Sequence, residues 1–276
     1  MNGRVKVRFL RSLANRDPSG LWRAVLSAAE PDEVLNQCDS WRISGLVYRR
    51  LIEPIQTRLP NELVSGFRAR YATCVRDNLQ RHQALEQIDG VFADRDIRAL
   101  VVKGLALTQC IYRDPGVRQM SDTDLIVWPE HENRAMESLR DLGYVRDTGH
   151  PTVFTRNGNT LDVKPEPFGV GRIPSRETAF AKVLPTLWEQ TERLDGFTVL
   201  RTWSPSARIY TLIVHGLKHG VPDGIWLTDL GETIASAPVS AWARSVRPFA
   251  ESGSDQALCL GLMRTRDWGY QLAPAR

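Results

Sequence analysis

The chain has 276 residues, 42% of them hydrophobic, which is enough for one core of catalytic size with helical additions. Lys and Arg number 36 against 32 Asp and Glu, and the resulting net charge of +4 favours anionic partners only weakly. The four cysteines are too far apart for a zinc-ligand pair, and neither a signal-peptide core nor a run of ~20 apolar residues occurs, so we expect a cytoplasmic protein with no membrane partner.

The first segment is predicted to be helical. Apolar residues recur at spacings of three and four in residues 21–29, 41–53 and 61–95. Two of these stretches follow a polar residue of the type that caps helices, Ser40 before Trp41 and Asn61 before Glu62. We therefore expect three helices before residue 96.

Arginines are frequent in these predicted helices. A solvated helix face is the simpler interpretation, since aromatic residues are not interleaved among them as base-stacking platforms. A nucleic-acid track remains the alternative. The arginines concerned are Arg49, Arg50, Arg68, Arg70, Arg76 and Arg81.

The pattern changes near residue 97 to short apolar strands alternating with helices. "IRALVV" (97–102) and "DTDLIVW" (122–128) predict strands, whereas "KGLALTQCIYR" (103–113) and "PEHENRAMESLRDLG" (129–143) predict helices. Pro129 suits the first turn of the second helix, and Gly143 suits its C-terminal end.

Three further short strands are predicted at residues 144–148, 152–156 and 160–167. Asn157-Gly158 lies between the last two, and this dipeptide is a strong signal for a tight hairpin. The two flanking strands should therefore be antiparallel neighbours.

From about residue 171, helical periodicity returns, most clearly in residues 206–220, 224–237 and 254–265. We accordingly divide the chain into a helical segment (1–95), an α+β core (96–170) and a second helical segment (171–276). The fold class predicted is α+β, with a short mixed sheet and helices flanked by these helical segments.

Three aspartates of the predicted core are candidates for one site. Asp122 and Asp124 share a strand face because side chains at i and i+2 point the same way, and like charges that close require a positive partner. If the strand carrying Asp162 lies next to theirs, the third carboxylate can face the pair. Carboxylate oxygens suit Mg²⁺, which also recruits substrate phosphates.

A possible phosphate site precedes the aspartates. The first predicted strand runs into Lys103-Gly104 and then into a helix, so backbone N–H groups could face a phosphate and the glycine would permit close approach. By itself this turn is a weak signal, but together with the D-x-D strand and a later aspartate it indicates nucleotide chemistry.

These motifs resemble a known family. The run "VVKGLALTQCIYRDPGVRQMSDTDLIVWPEHENRAMESLRDLGYV" is similar to the core of the bacterial uncharacterised nucleotidyltransferases, a branch of the polymerase-β-like superfamily. The later "HGLKHGVPDGIWLTDL" resembles the C-terminal helical signature of that family. The resemblance covers roughly residues 85 to 235.

The resemblance implies a polymerase-β-like nucleotidyltransferase core that uses Mg²⁺ or Mn²⁺ and an NTP such as ATP. Asp122 and Asp124 match the metal pair and Asp162 the third acid, while Gly104 matches the glycine of the phosphate turn. Lys103 and Arg118 match family positions, and their charges suggest contacts with triphosphate oxygens. Lys164 shares a face with Asp162, so it could bind phosphate or neutralise that acid.

Two positions depart from the pattern of the superfamily. Leu105 stands where a serine or a second glycine usually follows Gly104, which removes a hydroxyl that could touch phosphate. In addition, "DVKPEP" replaces the leucine-histidine pair that often follows the third aspartate. The first departure bears on nucleotide affinity and the second on the choice of acceptor.

His215 and His219 stand at i and i+4 on a predicted helix, a spacing that can bind zinc. No glutamate and no obvious third ligand accompany them, so a satisfied helix histidine or a wall contact in the active site is the preferred interpretation. Lys218 and Asp229 are expected at the same interface or pocket edge, and Trp226 is expected in the core.

The predicted reaction is metal-dependent transfer of a nucleoside monophosphate from an NTP to an unidentified acceptor, which could be a small molecule, a peptide or RNA. Two alternatives remain. One is a toxin-like nucleotidyltransferase that modifies tRNA, for which the arginine-rich first segment is the sequence support. The other is a non-catalytic nucleotide-binding module, for which Leu105 is the main support.

Overall fold

The computed structural model describes residues 3–19, 31–168, 180, 182–220 and 223–271. Within them, seven strands form one mixed sheet in the order β3-β4-β5-β2-β1-β7-β6. Only the pairs β2–β5 and β1–β7 are parallel. The strands are β1 (Ala99–Val102), β2 (Thr123–Val127), β3 (Val145–Arg146), β4 (Val153–Arg156), β5 (Asn159–Lys164), β6 (Thr191–Arg193) and β7 (Arg201–Trp203).

Helices precede the sheet, connect its strands and follow it, which confirms the α+β class predicted from the sequence. A π-helical turn, Thr108–Tyr112, continues the helix Gly104–Leu107, and a short 3-10 turn, Pro129–His131, leads into the helix Glu132–Asp141. The α-helices are α1 (Gly3–Ala14), α2 (Pro31–Ser40), α3 (Ser44–Val47), α4 (Asn61–Asp94), α5 (Gly104–Leu107), α6 (Glu132–Asp141), α7 (Leu184–Glu189), α8 (Pro205–Lys218), α9 (Ile225–Ser236), α10 (Val239–Ser252) and α11 (Asp255–Asp267).

Each face of the sheet covers its own hydrophobic core. Successive side chains of a strand point to opposite faces, so Val101 and Leu125 join a core with α4 and α6. Val102 and Ile126 point the other way and join the larger core built with α3 and α8 to α11. The two aspartates of the D-x-D strand therefore share the face that the C-terminal helices cover.

The 34-residue helix α4 connects the two cores. Its first turns contribute Leu63 and Phe67 to the larger core, and its last turns contribute Ile88 and Phe92 to the smaller one. At 1.5 Å per residue the helix is about 50 Å long, enough to run past the whole sheet. The N-terminal segment is thereby packed against the strands that carry the aspartates.

The predicted hairpin is confirmed. Asn157 and Gly158 have φ of 48° and 78°, as a two-residue turn with positive φ at both positions requires, and β4 pairs antiparallel with β5. The turn fixes the register of β5, and hence the face on which Asp162 lies.

Two strands were not predicted. β6 and β7 lie in the segment expected to be helical from residue 171, and β7 pairs with β1. Each has only three residues, too few for a period of two to be recognised in the sequence. The sheet thus draws strands from beyond residue 170, while the three-part division of the chain stays a prediction.

Details of the first helices also differ from the prediction. Ser40 does not cap a helix at Trp41; it ends α2, and its hydroxyl donates to the Gln37 carbonyl at 2.8 Å. Asn61 is the first residue of α4 and not its cap, and Pro60 precedes it without a side-chain cap bond. The predicted helix 41–53 is divided into α3, a π-helical turn and a 3-10 turn that begins at Glu53 beside Pro54.

The predicted helix at residues 21–29 lies outside the described residues. Among the helices that the structure does describe, none has the length and apolar character needed to cross a bilayer.

Close packing of α8 against α9 depends on a glycine. Trp226 is 6% exposed, as expected of a core residue, and its indole N–H donates to the Leu212 carbonyl at 2.7 Å. A Cβ built on Gly216 would lie 1.9 Å from the Trp226 ring. Only a glycine at this position lets the indole lie against the α8 backbone.

Gly216→Ala should therefore destabilise the fold by about 1–3 kcal/mol, because the added methyl overpacks a filled contact. Gly90→Ala is the matched control, since no atom lies within 4 Å of its added Cβ and alanine favours a helix interior. Urea unfolding followed by circular dichroism gives both values. Equal stability of the two variants would contradict this packing.

Candidate active site

The three aspartates predicted to form one site meet where the start of β2 lies beside the middle of β5. The parallel register of these strands aligns Asp124 with Asp162, and Asp122 lies one residue before β2 begins. One carboxylate oxygen from each residue lies within 4.8 Å of the others. Among the described residues, this is the one group of three or more acidic, histidine or cysteine side chains close enough to share an ion.

The donor set of this acidic triad (Asp122, Asp124 and Asp162) fits a hard divalent cation. Carboxylate oxygens are the ligands that Mg²⁺ and Mn²⁺ prefer. Asp162 Oδ1 is buried and has no hydrogen-bond partner, a costly arrangement for a carboxylate unless another group satisfies it. Mg²⁺ or Mn²⁺ would satisfy this oxygen together with those of Asp122 and Asp124.

Two lysines form ion pairs with the triad. Lys103 Nζ lies 2.5 Å from Asp124 Oδ1, and Lys164 donates to Asp162 Oδ2. Burial raises the pKa of Asp124, Lys103 opposes that shift, and the neighbouring Asp122 adds to it. The lysines thus supply the positive charge that closely spaced carboxylates require.

The backbone at Lys103 is strained. Its φ of 55° and ψ of −125° lie outside the regions that a residue with a Cβ normally adopts, at the junction of β1 and α5. A glycine would adopt this conformation at lower cost, yet the position carries the lysine that reaches Asp124. Such strain is typical of functional sites, and here it accompanies a charge that faces the triad.

Gly104 lies where it was predicted, at the start of α5 and on the wall of the cleft. A Cβ at this position would lie 3.0 Å from Met120 Sδ and 3.2 Å from Arg118 Nη1. The glycine therefore also serves packing, because it leaves room for the loop that leads into β2. The side chain of Leu105, by contrast, is 2% exposed and belongs to the core on the opposite face of the sheet.

Arg118 is engaged within the protein. Its Nη2 lies 2.7 Å from Asp229 Oδ2, and the two side chains are 12% and 2% exposed. Tyr112 donates a further hydrogen bond of 2.8 Å to Asp229 Oδ1. This buried pair links the loop before β2 to α9, so Arg118 holds the cleft wall in place. A contact between Arg118 and triphosphate stays a prediction.

A cleft of about 980 Å³ opens between the triad and the C-terminal helices. This volume lies within the range of ~300–1,000 Å³ that small-molecule sites occupy. His215, Lys218 and His219 line the side formed by α8, as expected of a pocket edge. Sequence reasoning missed Arg42 and His150, which also line the cleft but come from distant segments without a motif.

The two histidines of α8 differ from a zinc pair in their surroundings. Their ring centroids are 4.6 Å apart, and neither belongs to a group of side chains close enough to share an ion within the described part of the chain. Burial lowers the pKa of His215 to about 2, with Lys103, His219, Lys218 and Lys164 adding to the shift. His215 is therefore a neutral imidazole on the cleft wall.

The six arginines of the first segment each have a partner within the chain. Arg50 forms a buried pair with Glu232, and the others contact Glu53, Asp114, Gln56, Tyr48, Asp39, Asp77 or Asn78. Their distribution does not form an unpaired basic track. Arg49, Arg68 and Arg76 are exposed, as the predicted solvated helix face requires, whereas Arg50 is 11% exposed and pairs with Glu232 of α9.

The mixed sheet thus brings three carboxylates to a cleft large enough for a small-molecule substrate. The sequence model of the family described as "Uncharacterised nucleotidyltransferase" matches residues 27–269, and the chain belongs to that family. The resemblance recognised in the sequence is thereby confirmed.

More distant likenesses exist among solved structures. The solution structure of the antibiotic-resistance factor ANT(2'')-Ia has a TM-score of 0.38 and 13% identity, covering 68% of this chain and 94% of its own. The crystal structure of ANT(2'')-Ia in complex with adenylyl-2''-tobramycin has a TM-score of 0.36 and 12% identity, covering 68% and 98%. At these scores the likeness carries no information about the substrate. No curated protein matches the chain significantly.

The neutral state of His215 predicts a pH effect on stability. Its folded pKa is depressed, whereas the unfolded histidine titrates near 6.5, so below that pH the unfolded chain binds a proton that the folded chain does not. Stability should fall with decreasing pH between about 6.5 and 5, by up to ~1 kcal/mol per pH unit from this group.

His215→Gln should remove this part of the pH dependence, and His150→Gln, which alters a histidine with an 81% exposed side chain, should not. Urea unfolding at pH 7.0, 6.0 and 5.0 measures the difference. Parallel pH profiles for wild type and His215→Gln would show that folding does not lower the pKa of His215.

Proposed function

We propose that this protein transfers a nucleoside monophosphate from an NTP to an acceptor, with release of pyrophosphate. The observation that carries the proposal is the meeting of three carboxylates within 4.8 Å, one of them with a buried oxygen that has no hydrogen-bond partner. Family membership supports the general reaction class. The divalent cation, the acceptor and the residue roles belong to the proposal.

The roles follow from position in the cleft. Asp122 and Asp124 hold Mg²⁺ or Mn²⁺ together with Asp162, and a bound ion would supply charge neutralisation for the triphosphate and a lowered pKa for an attacking hydroxyl. As the third acid of the site, Asp162 also aligns the acceptor hydroxyl or takes its proton. The acceptor oxygen bonds to the α-phosphorus as the bond to the β-phosphate oxygen breaks.

The cationic side chains beside the triad bind the triphosphate. Lys103 and Lys164 lie beside the triad, and their flexible stems allow each ammonium to reach phosphate oxygens. Gly104 keeps the wall open at the start of α5, and Arg118 adds charge while it remains paired with Asp229. A neutral His215 opposite them can hydrogen-bond to either substrate without adding charge.

The contacts within the chain weaken the sequence support for the two alternative functions. A tRNA-modifying toxin was supported by the arginine-rich segment, whose six arginines all have partners within the chain. A non-catalytic module was supported by Leu105, whose side chain lies in the core and does not line the cleft. We therefore favour a catalytically active enzyme whose acceptor is a small molecule or a peptide.

The acceptor class can be identified directly. The protein is incubated with each NTP labelled at the α-phosphate, Mg²⁺ or Mn²⁺, and cell extract divided into RNA, protein and small-molecule fractions. Stable label in the small-molecule or protein fraction, with release of pyrophosphate, is the expected result. Label confined to RNA would favour the tRNA alternative, and no pyrophosphate release with any NTP would contradict the proposed reaction.

Asp122→Asn and Asp162→Asn should each lower turnover by more than about a hundredfold, because each removes a carboxylate charge from the reacting centre. Both variants should remain folded, since the residues line the cleft and each amide keeps the shape of the acid. Asp77→Asn, on the exposed side of α4, is the control and should retain wild-type turnover. Wild-type rates for Asp122→Asn would refute the assigned site.

A further inference from the structure

The two lysine–aspartate ion pairs hold one carboxylate oxygen of Asp124 and one of Asp162, and Asp162 Oδ1 is left without a hydrogen-bond partner. Lys103 Nζ contacts Asp124 Oδ1 at 2.5 Å, and Lys164 contacts Asp162 Oδ2. Both lysines are largely covered, with 28% and 24% of their side chains exposed. A divalent cation and these ammonium groups therefore compete for the same carboxylates.

We propose that Lys103 and Lys164 make the metal ion and the triphosphate bind as one unit: the site takes a metal–triphosphate complex and rejects the free ion. This inference rests on the proposed function and deepens it by naming the form in which the substrate binds. Each lysine exchanges its carboxylate for phosphate oxygens when the complex enters.

The two ammonium groups need an anionic partner whether or not an ion occupies the triad. A free divalent ion that enters the triad draws on the carboxylate charge that the two partly buried ammonium groups share, and like charges at this distance repel. A triphosphate that arrives with the ion gives both ammonium groups new anionic partners. The ion is then bound tightly only together with the polyanion, and by linkage each ligand raises the affinity for the other.

The local structure supports such an exchange. Lys103 follows β1 in a strained conformation, and Lys164 follows Asp162 by two residues on the same face of β5, so both stems begin next to the triad. A lysine has four rotatable carbons and no fixed fork, so its ammonium can move several ångströms while the backbone stays in place. Arg118 cannot do this, because Asp229 holds its guanidinium in a buried pair.

The test measures binding and not turnover. Affinities for Mn²⁺ alone and for Mn²⁺ with inorganic triphosphate are determined by calorimetry and by the Mn²⁺ electron paramagnetic resonance signal. The variants are Lys103→Gln and Lys164→Gln, and Lys182→Gln is the control because Lys182 is exposed and does not line the cleft.

In the wild type, triphosphate should raise the affinity of the protein for Mn²⁺ by at least tenfold. This factor is calculated after subtracting the Mn²⁺ that triphosphate binds in solution. Lys103→Gln and Lys164→Gln should each bind Mn²⁺ alone at least fivefold more tightly than wild type and bind the complex more weakly. Lys182→Gln should match the wild type. Lys103→Gly serves as a second variant, since a glycine adopts the φ of 55° without strain and removes the same charge.

Two failures can be told apart. If the wild type binds the Mn²⁺–triphosphate complex but the lysine variants behave like Lys182→Gln, the coupling is refuted and the proposed function stands. If the wild type binds neither Mn²⁺ nor the complex, the proposed function fails and the coupling fails with it. Tight binding of Mn²⁺ alone by the wild type, unchanged by triphosphate, would also overturn the inference.

Discussion

The parallel pairing of β2 with β5 aligns Asp124 with Asp162, and the chemistry of the cleft depends on that register. A shift of one residue would turn the Asp162 side chain to the other face of the sheet, into the core formed with α4 and α6. The register is specified from both sides. Leu161 and Val163 must enter that core, and the tight turn at Asn157-Gly158 fixes where β5 begins relative to β4.

Concentrating three carboxylates at one point has consequences for the rest of the cleft. Negative charges so close together require compensation, which the Lys103–Asp124 and Lys164–Asp162 pairs supply directly. A little further away, the buried Arg118–Asp229 pair fixes the loop before β2 against α9, so the wall opposite the triad stays in place. The two lysines can therefore move toward a charged substrate, whereas Arg118 keeps its place in the cleft wall.

Much of this arrangement could be predicted from the sequence because it depends on local patterns. Short-range sequence patterns predict three of its features. They are the strand with Asp122 and Asp124, the Asn157-Gly158 turn and the periodic helix α4. The strands β6 and β7 could not be recognised, since three residues carry no clear period and their pairing depends on contacts with β1 and with each other. The Arg118–Asp229 pair joins residues 111 positions apart and has no local signature.

The central claim is that the three aspartates share a divalent cation. Crystals grown with Mn²⁺ and inorganic triphosphate, measured at a wavelength where manganese scatters anomalously, test it most directly. The account predicts an anomalous peak with one carboxylate oxygen each of Asp122, Asp124 and Asp162 about 2.0–2.3 Å away. A peak elsewhere in the cleft, or none while triphosphate is bound, would contradict it.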